Sequence, residues 1–242
     1  MATARLLGAM GAKVVLGSTT SRVDQRVSEL RDLGIDALGL VGDLTDPTSA
    51  PKLVASALEQ WARLDVVVAN AGMVSQSDPT LAQSLLESID LDEWHAGLAR
   101  NLDSSFLVAK AAMPALLANG WGRLIFVASV TGPVMAMRAQ PVYGAAKAGL
   151  VGLTKALALD TAGSGVTVNA VAPGWIATGS QTAFEASEGA LSPVGRSGTP
   201  DEVASLIGWL ASPGSSYMTG QCLILDGGNS IDEERSRHTT RD

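Results

Sequence analysis

GRLIFVASVTGPVMAMRAQPVYGAAK, residues 122–147, decides how this chain is read. Residues 124–128 are an apolar run of strand length, ending on a hydroxyl at Ser129. A loop with Gly132, Pro133 and Pro141 follows, and then Tyr143 and Lys147 at the start of an Ala/Gly-rich helix. Residues four apart share a helix face, so Lys147 stands beside Tyr143. A free phenol titrates near about 10, and a neighbouring ammonium favours the phenolate and makes a better proton shuttle. Ser129 can donate a hydrogen bond to the same substrate oxygen. Gly144, Ala145 and Ala146 keep the helix surface low enough for a flat ring to approach. The set suits a carbonyl that receives hydride at carbon and a proton at oxygen. An ordinary exposed Tyr/Lys pair is the bland alternative, and Tyr-x-x-x-Lys alone is a weak signal.

Outward from this stretch, strand-like runs alternate with helical patterns along the whole chain, which predicts βαβ units and a parallel sheet. The chain opens in a helix up to Met10, and Gly11 suits its stop. Strands are expected over residues 13–16, 35–41, 66–69, 166–172 and 222–225, besides 124–128. Asp46-Pro47 reads as a helix start, with Asp as cap and Pro in the first turn. Thr199-Pro200-Asp201-Glu202 is a capping-box start. A helical patch is expected over 81–86 and a long helix over 91–117. Residues 175–198 show no clear periodicity, and 178–198 reads as a candidate lid with a static surface loop as its alternative. The expected layout is one domain over 1–228 and a charged tail over 229–242.

The strand ending in Ser129 and the Tyr143/Lys147 helix resemble the catalytic core of the short-chain dehydrogenase/reductase family. Other motifs carry the resemblance along nearly the whole chain. Asn70-Ala71-Gly72 closes a strand as the family's Asn-Ala-Gly does. Asn101 in RNLDSSF matches its helical asparagine, and Pro173-Gly174 with Thr178 matches its Pro-Gly-x-x-x-Thr. Asp43 matches the acidic residue near adenine, and LDGG (225–228) matches the closing strand. The resemblance implies a Rossmann-like, doubly wound α/β fold. It also implies Tyr143 as general acid/base, Ser129 orienting the carbonyl, Lys147 holding the nicotinamide ribose and lowering the phenol pKa, and Asn101 completing a proton relay. Asn70, Ala71, Gly72, Pro173, Gly174 and Thr178 would line the cofactor. Each match has a plain structural reading as a cap, turn former or helix-surface group.

Cofactor choice rests on the end of the 13–16 strand. An acidic residue there would hold the ribose hydroxyls of NAD. This chain has Ser18, Thr19 and Arg22, whose hydroxyls and guanidinium suit a 2′-phosphate. NADP(H) is favoured and NAD(H) is possible. The run from Val14 resembles the 3-oxoacyl-[acyl-carrier-protein] reductase branch, with Arg123 as one candidate docking cation. The acidic balance, and Ser164 where that branch often has arginine, argue against committing to an acyl-carrier substrate. Ser129 and Tyr143 are fourteen apart, one more than in many members, which reads as a pocket difference. Met135 and Met137 are candidates for its lining, or plain packing.

Family members begin with a strand and a glycine-rich turn that brings backbone N–H groups onto a pyrophosphate. Neither is present ahead of the first helix here, so the expected sheet lacks its first, central strand. About 20 residues would make up the difference. The neighbouring strands, 13–16 and 66–69, would then be left about 9–10 Å apart, or be forced together. Met1 is either an internal residue of a longer chain or the true start of one that grips cofactor poorly.

The remaining composition is consistent with this reading. A length of 242 residues, 46% hydrophobic, supports one large domain. A net charge of −7 argues against nucleic acid or an anionic membrane as partner. No apolar run looks long enough to span a bilayer, and a cytoplasmic location is expected by default. The single cysteine, Cys222, reads as a buried hydrophobe, and His95 and His238 lack metal-ligand spacing, so no metal is expected. The leading function is NADP(H)-dependent reduction of a ketone, or oxidation of a secondary alcohol, on a small-molecule substrate. The helices over 91–117 and 142–162 imply a homodimer or homotetramer by family resemblance. The second hypothesis is a non-catalytic oligomerising or binding protein with a decayed cofactor site.

Overall fold

The strands of this chain form two parallel sheets, where the sequence implies one sheet with a strand missing from its middle. The computed structural model describes residues 1–72 and 84–233. Helix α1 (Ala2–Ala9) leads into β1 (Val14–Ser18), α2 (Arg22–Asp32) and β2 (Ala37–Val41). Strands β1 and β2 pair in parallel, Val14 opposite Ala37 and Ser18 opposite Val41. Then come α3 (Ser49–Trp61), β3 (Val66–Ala69), α4 (Leu91–Leu98), α5 (Ser104–Ala118), β4 (Gly122–Val127), α6 (Pro141–Asp160) and β5 (Val166–Pro173). The chain continues through α7 (Ala183–Ala190) and α8 (Pro200–Leu210) to β6 (Cys222–Leu225). These strands form a four-stranded parallel sheet in the order β3-β4-β5-β6.

The seam between β1 and β3 falls where the family's first strand is expected, and the two strands do not close it. Helices hold the halves together instead. From α1, Ala4 belongs to the buried cluster against which Val14 and Leu16 of the smaller sheet pack, and Leu7 packs against the cluster of Ile125, Val171, Ile207 and Leu210 in the larger half. From α3, Leu53 lies against Gly17, where an added Cβ would meet its Cδ1 at 2.8 Å, and Val54 packs into the cluster around Leu124 and Phe126. Helix α1 also packs on α8, and α3 on α5. The strands that flank the seam are only half-buried. By contrast, β4 and β5 are almost wholly buried, as apolar runs covered on two faces should be.

Several boundaries moved for local reasons. Helix α3 starts at Ser49, not at Asp46-Pro47, because the Asp46 carboxylate accepts from Thr48 N–H at 2.8 Å and from its hydroxyl at 3.0 Å, closing a separate turn. The Thr199 box forms as expected: Glu202 N–H donates to Thr199 Oγ1 at 3.2 Å, and Thr199 N–H to Glu202 Oε2 at 2.7 Å. Residues 175–198, expected to be unpatterned, contain α7. Its N-terminus is a second capping box, Thr182 with Glu185, which sequence reading missed although Thr-x-x-Glu was there to find. Of the expected 81–86 patch, residues 81–83 lie outside the described residues, and Leu86–Ser88 is a single 3₁₀ turn. Residues 234–242 of the expected tail also lie outside them. Contrary to the sequence expectation, α6 meets the length and hydropathy of a membrane span, with 20 residues and a mean hydropathy of 1.2. Its Ala146, Lys147, Leu150, Thr154 and Ala158 are buried in the domain.

Candidate active site

Every sequence-predicted site residue except Asn101, Tyr143 and Lys147 lies at or just beyond the carboxyl end of a parallel strand. Ser18 ends β1, Thr19 and Arg22 follow it, and Asp43 follows β2. Asn70, Ala71 and Gly72 follow β3, Ser129 follows β4, and Pro173, Gly174 and Thr178 end or follow β5. That edge is where open α/β sheets bind ligands. The seam divides the set, with Ser18, Thr19, Arg22 and Asp43 on the smaller sheet and the others on the larger.

The larger-sheet group is drawn together by close packing. The loop after β4 is tight: Gly132 N–H donates to the Met135 carbonyl, and Met135 N–H to the Val130 carbonyl, each at 2.8 Å. Gly132 has φ +104° and rests on the first turn of α6, where a side chain would strike the Gly144 carbonyl. Its lack of a Cβ lets the Ser129 loop dock on the helix that carries Tyr143. Ala128 N–H donates to Val171 O at 2.8 Å and Val130 N–H to Pro173 O at 3.0 Å, which ties the same loop to the end of β5.

Lys147 is 2% exposed, and its ammonium donates to the Val127 carbonyl at 2.9 Å. It has no carboxylate partner among the described residues. Burial lowers its pKa from 10.5 to about 8. Its nitrogen lies 5.7 Å from the centre of the Tyr143 ring. The Tyr143 phenol is pushed upward, not down as the sequence suggests. Burial is the main cause and the Glu185 carboxylate adds to it, while hydrogen bonding with the Ser129 hydroxyl opposes them.

Asn101 sits in a π-helical turn, Ala99–Asp103, that joins α4 to α5. Such turns are frequent at functional sites because they re-aim one side chain within a helix. Its Nδ2 donates to Gly97 O at 3.1 Å, while its buried Oδ1 has no hydrogen-bond partner among the described residues. Gly72, with φ +126°, packs on this turn; an added Cβ would lie 3.1 Å from Asn101 Oδ1. The Asn-Ala-Gly turn and Asn101 are therefore one packed unit.

On the smaller sheet, Asp43 Oδ1 accepts from Thr45 N–H and Oγ1 at 2.9 Å each, and Ser18 Oγ accepts from Thr20 N–H at 3.4 Å. Thr19, Arg22 and Asp43 are exposed and open to a ligand. The residues present fit a nicotinamide nucleotide at its nicotinamide-ribose and adenosine ends. No glycine-rich cradle for its pyrophosphate occurs among the described residues.

One further expectation is settled by position. Arg123 is not a docking cation, because it is 1% exposed. Its guanidinium donates to Gly122 O at 2.8 Å, Gly165 O at 3.3 Å, Ser212 O at 3.4 Å and Ser216 Oγ at 2.9 Å, and stacks 4.3 Å from Trp121. Burial lowers its pKa. Met135 turns toward the segment after β6, where its sulfur accepts from Asn229 Nδ2 at 3.6 Å. The lid candidate holds α7, with Phe184 edge-on to Trp175 at 6.3 Å and its ends joined by a bridge between Ile176 and Gly198.

Residues 1–230 match the family model described as Enoyl-(Acyl carrier protein) reductase. The chain is 37% identical over 231 residues to the 3-oxoacyl-[acyl-carrier-protein] reductase FabG of Salmonella typhimurium, covering 94% of this chain and 91% of that protein. It is 38% identical over 231 residues to the cis-4-hydroxycyclohexanecarboxylate dehydrogenase of Sinomonas cyclohexanicum, covering 94% and 90%. A solved Serratia marcescens short-chain dehydrogenase/reductase superposes with a TM-score of 0.86 at 29% identity, covering 95% of this chain and 92% of that one.

Proposed function

The chain belongs to the short-chain dehydrogenase/reductase family of oxidoreductases, and from that premise we propose that it transfers hydride between NADP(H) and a ketone or secondary alcohol. The observation that supports the reading is the docking of the Ser129 loop on the first turn of α6, the helix that carries Tyr143 and buried Lys147. A nicotinamide bound at the strand ends supplies or accepts the hydride. Ser129 donates to the carbonyl oxygen and orients it. Tyr143 gives that oxygen a proton in reduction and takes one back in oxidation. Lys147 would hold the nicotinamide ribose, and its ammonium beside the phenol would favour the phenolate. The unpartnered Asn101 Oδ1 suits an acceptor in the relay that returns the proton.

Ser18, Thr19 and Arg22, with no acidic side chain at the end of β1, favour a 2′-phosphate and hence NADP(H) over NAD(H). The named relatives act on quite different substrates, and Arg123, the nearest candidate for carrier docking, is covered. We therefore assign a small-molecule ketone or alcohol without a carrier. Exposed Phe106, Leu117 and Leu159 on α5 and α6 support association into a dimer or tetramer. Tyr143→Phe should leave folding and NADPH binding intact and abolish turnover of a ketone panel; retained turnover rejects the role given to Tyr143. The open seam favours one second reading, a binding protein without turnover. A nicotinamide fluorescence titration beside a sizing column separates the two, since an oligomer that leaves NADPH unbound supports the second.

A further inference from the structure

Helix α7 turns its acidic side inward. Its Ala183, Phe184, Ala186, Ser187 and Ala190 are exposed, while Glu185 and Glu188 are half-buried and Gly189 is buried. A surface helix ordinarily covers its apolar groups, and this one covers carboxylates. Packing fixes that orientation. Gly189 rests on Ser197, where an added Cβ would strike the hydroxyl, and the same hydroxyl accepts from Gln181 Nε2 at 2.8 Å.

The helix is also held at the carboxyl end of β5. Trp175, just after Pro173-Gly174, meets Phe184 edge-on at 6.3 Å, and Ile176 bridges to Gly198 beyond the helix. The Pro173 carbonyl accepts from Val130 N–H of the Ser129 loop at 3.0 Å. Glu185 thereby comes within electrostatic reach of the Tyr143 phenol, whose pKa it raises. Its Oε2 accepts from Thr182 N–H at 2.7 Å and from the Thr182 hydroxyl at 3.0 Å. Among the described residues, no cation pairs with Glu185 or Glu188. Arg196, the one cation in residues 174–198, is paired with Glu202 at 2.7 Å. A half-buried carboxylate beside the reacting hydroxyl, next to an aromatic pair, is what an organic ammonium group asks of a site. The same charge repels a carboxylate or phosphate substrate.

We propose that Glu185 determines the substrate class: the ketone or alcohol turned over here carries a cationic amine on the side that faces α7. The proposal rests on the oxidoreductase reading and adds to it the charge of the substrate. A positive group at Glu185 cancels the field that pushes the phenol pKa upward, so the right substrate makes Tyr143 a better acid. A neutral substrate leaves that field in place.

Three ring ketones of nearly the same shape test this, each substituted opposite the carbonyl: the N,N-dimethyl piperidinone cation, its carbon isostere gem-dimethylcyclohexanone, and the cyclohexanone carboxylate. Ligand-observed NMR titration with NADP⁺ present, which cannot reduce them, gives the dissociation constants, and NADPH oxidation gives kcat/KM. The cation should bind roughly tenfold tighter than its isostere and the carboxylate roughly tenfold weaker, with kcat/KM in the same order. Glu185→Gln, which keeps the cap of α7, should bring the three within about twofold at an unchanged melting temperature. Equal affinities or no binding in the wild type, a carboxylate that binds tightest, or an unchanged order in the variant overturns the inference, even if all three ketones are reduced. Absence of turnover with the binding order intact sinks the oxidoreductase reading instead and leaves the charge preference of the site standing.

Discussion

Replacing Lys147 with methionine should make this protein more stable while destroying its activity. The ammonium is 2% exposed, its one hydrogen bond goes to the Val127 carbonyl, and burial moves its pKa from 10.5 to about 8. At roughly 1.4 kcal/mol for each tenfold change in ionisation, holding the charged form inside the fold costs about 3 kcal/mol near neutral pH. Methionine has a similar length and no charge, but leaves the Val127 carbonyl without its donor, a loss of about 1 kcal/mol. The net expectation is a gain of about 2 kcal/mol near neutrality. The pH dependence follows from the sign. The folded-state pKa lies below the unfolded one, so the unfolded chain binds more protons between them, and wild-type stability rises with pH through that window. The penalty is complete below about pH 8 and fades toward 10.5, so the advantage of the variant should shrink to near zero at about pH 10. Urea denaturation of both proteins at the two pH values measures this directly. A variant less stable near neutrality, or equally favoured at both pH values, would refute the reasoning.

Three other perturbations test separate parts of the site. Gly132→Ala places a methyl against the Gly144 carbonyl and 3.0 Å from Ala148 N, both fixed within α6, at a φ of +104°. Thermal melts should show a loss of about 2–3 kcal/mol, with turnover falling further as Ser129 moves off Tyr143. Arg123→Met removes a buried cation held by three carbonyls and a hydroxyl, and should cost about 2–4 kcal/mol in urea titrations. Lysine should not restore it, because a point charge cannot reproduce the planar fork. Glu185→Gln keeps the cap of α7, since glutamine serves in a capping box, but removes the carboxylate that raises the Tyr143 pKa. The basic limb of the pH–rate profile should move to lower pH, with the melting temperature little changed.

Much of the architecture was legible because it rests on local patterns. The apolar run to Ser129, the four-residue spacing of Tyr143 and Lys147, and the Thr199-x-x-Glu202 box each state their structure within a few residues. Helix α7 was missed because Gly, Ser and Ala around it blur the apolar period, although Thr182 and Glu185 carried the same start signal as Thr199 and Glu202. Arg123 was misplaced because a cation flanking a strand reads as surface. Only the turn around Pro213–Ser215 and the neighbouring Gly165 reveal that it is covered. The upward push on Tyr143 was also out of reach, since desolvation depends on what folds over the phenol, including a glutamate 42 positions away in sequence. The seam was anticipated as a missing strand. Whether its neighbours would fall together depended on α1 and α3 each packing on both half-sheets, which is a property of tertiary packing.

The setting of Arg123 bears on how quickly the domain assembles. Its partners lie 42, 89 and 93 residues along the chain, at Gly165, Ser212 and Ser216. Contacts of such separation close large loops, and their entropic cost must be met before they return anything, so they form late. The guanidinium thus acts as a final clasp, joining the start of β4 to the turn ahead of β6 after the sheet has condensed. An interaction absent from the transition state stabilises mainly by slowing escape from the native basin. The time the native state persists before opening, more than the rate at which it is reached, is what this one covered cation governs.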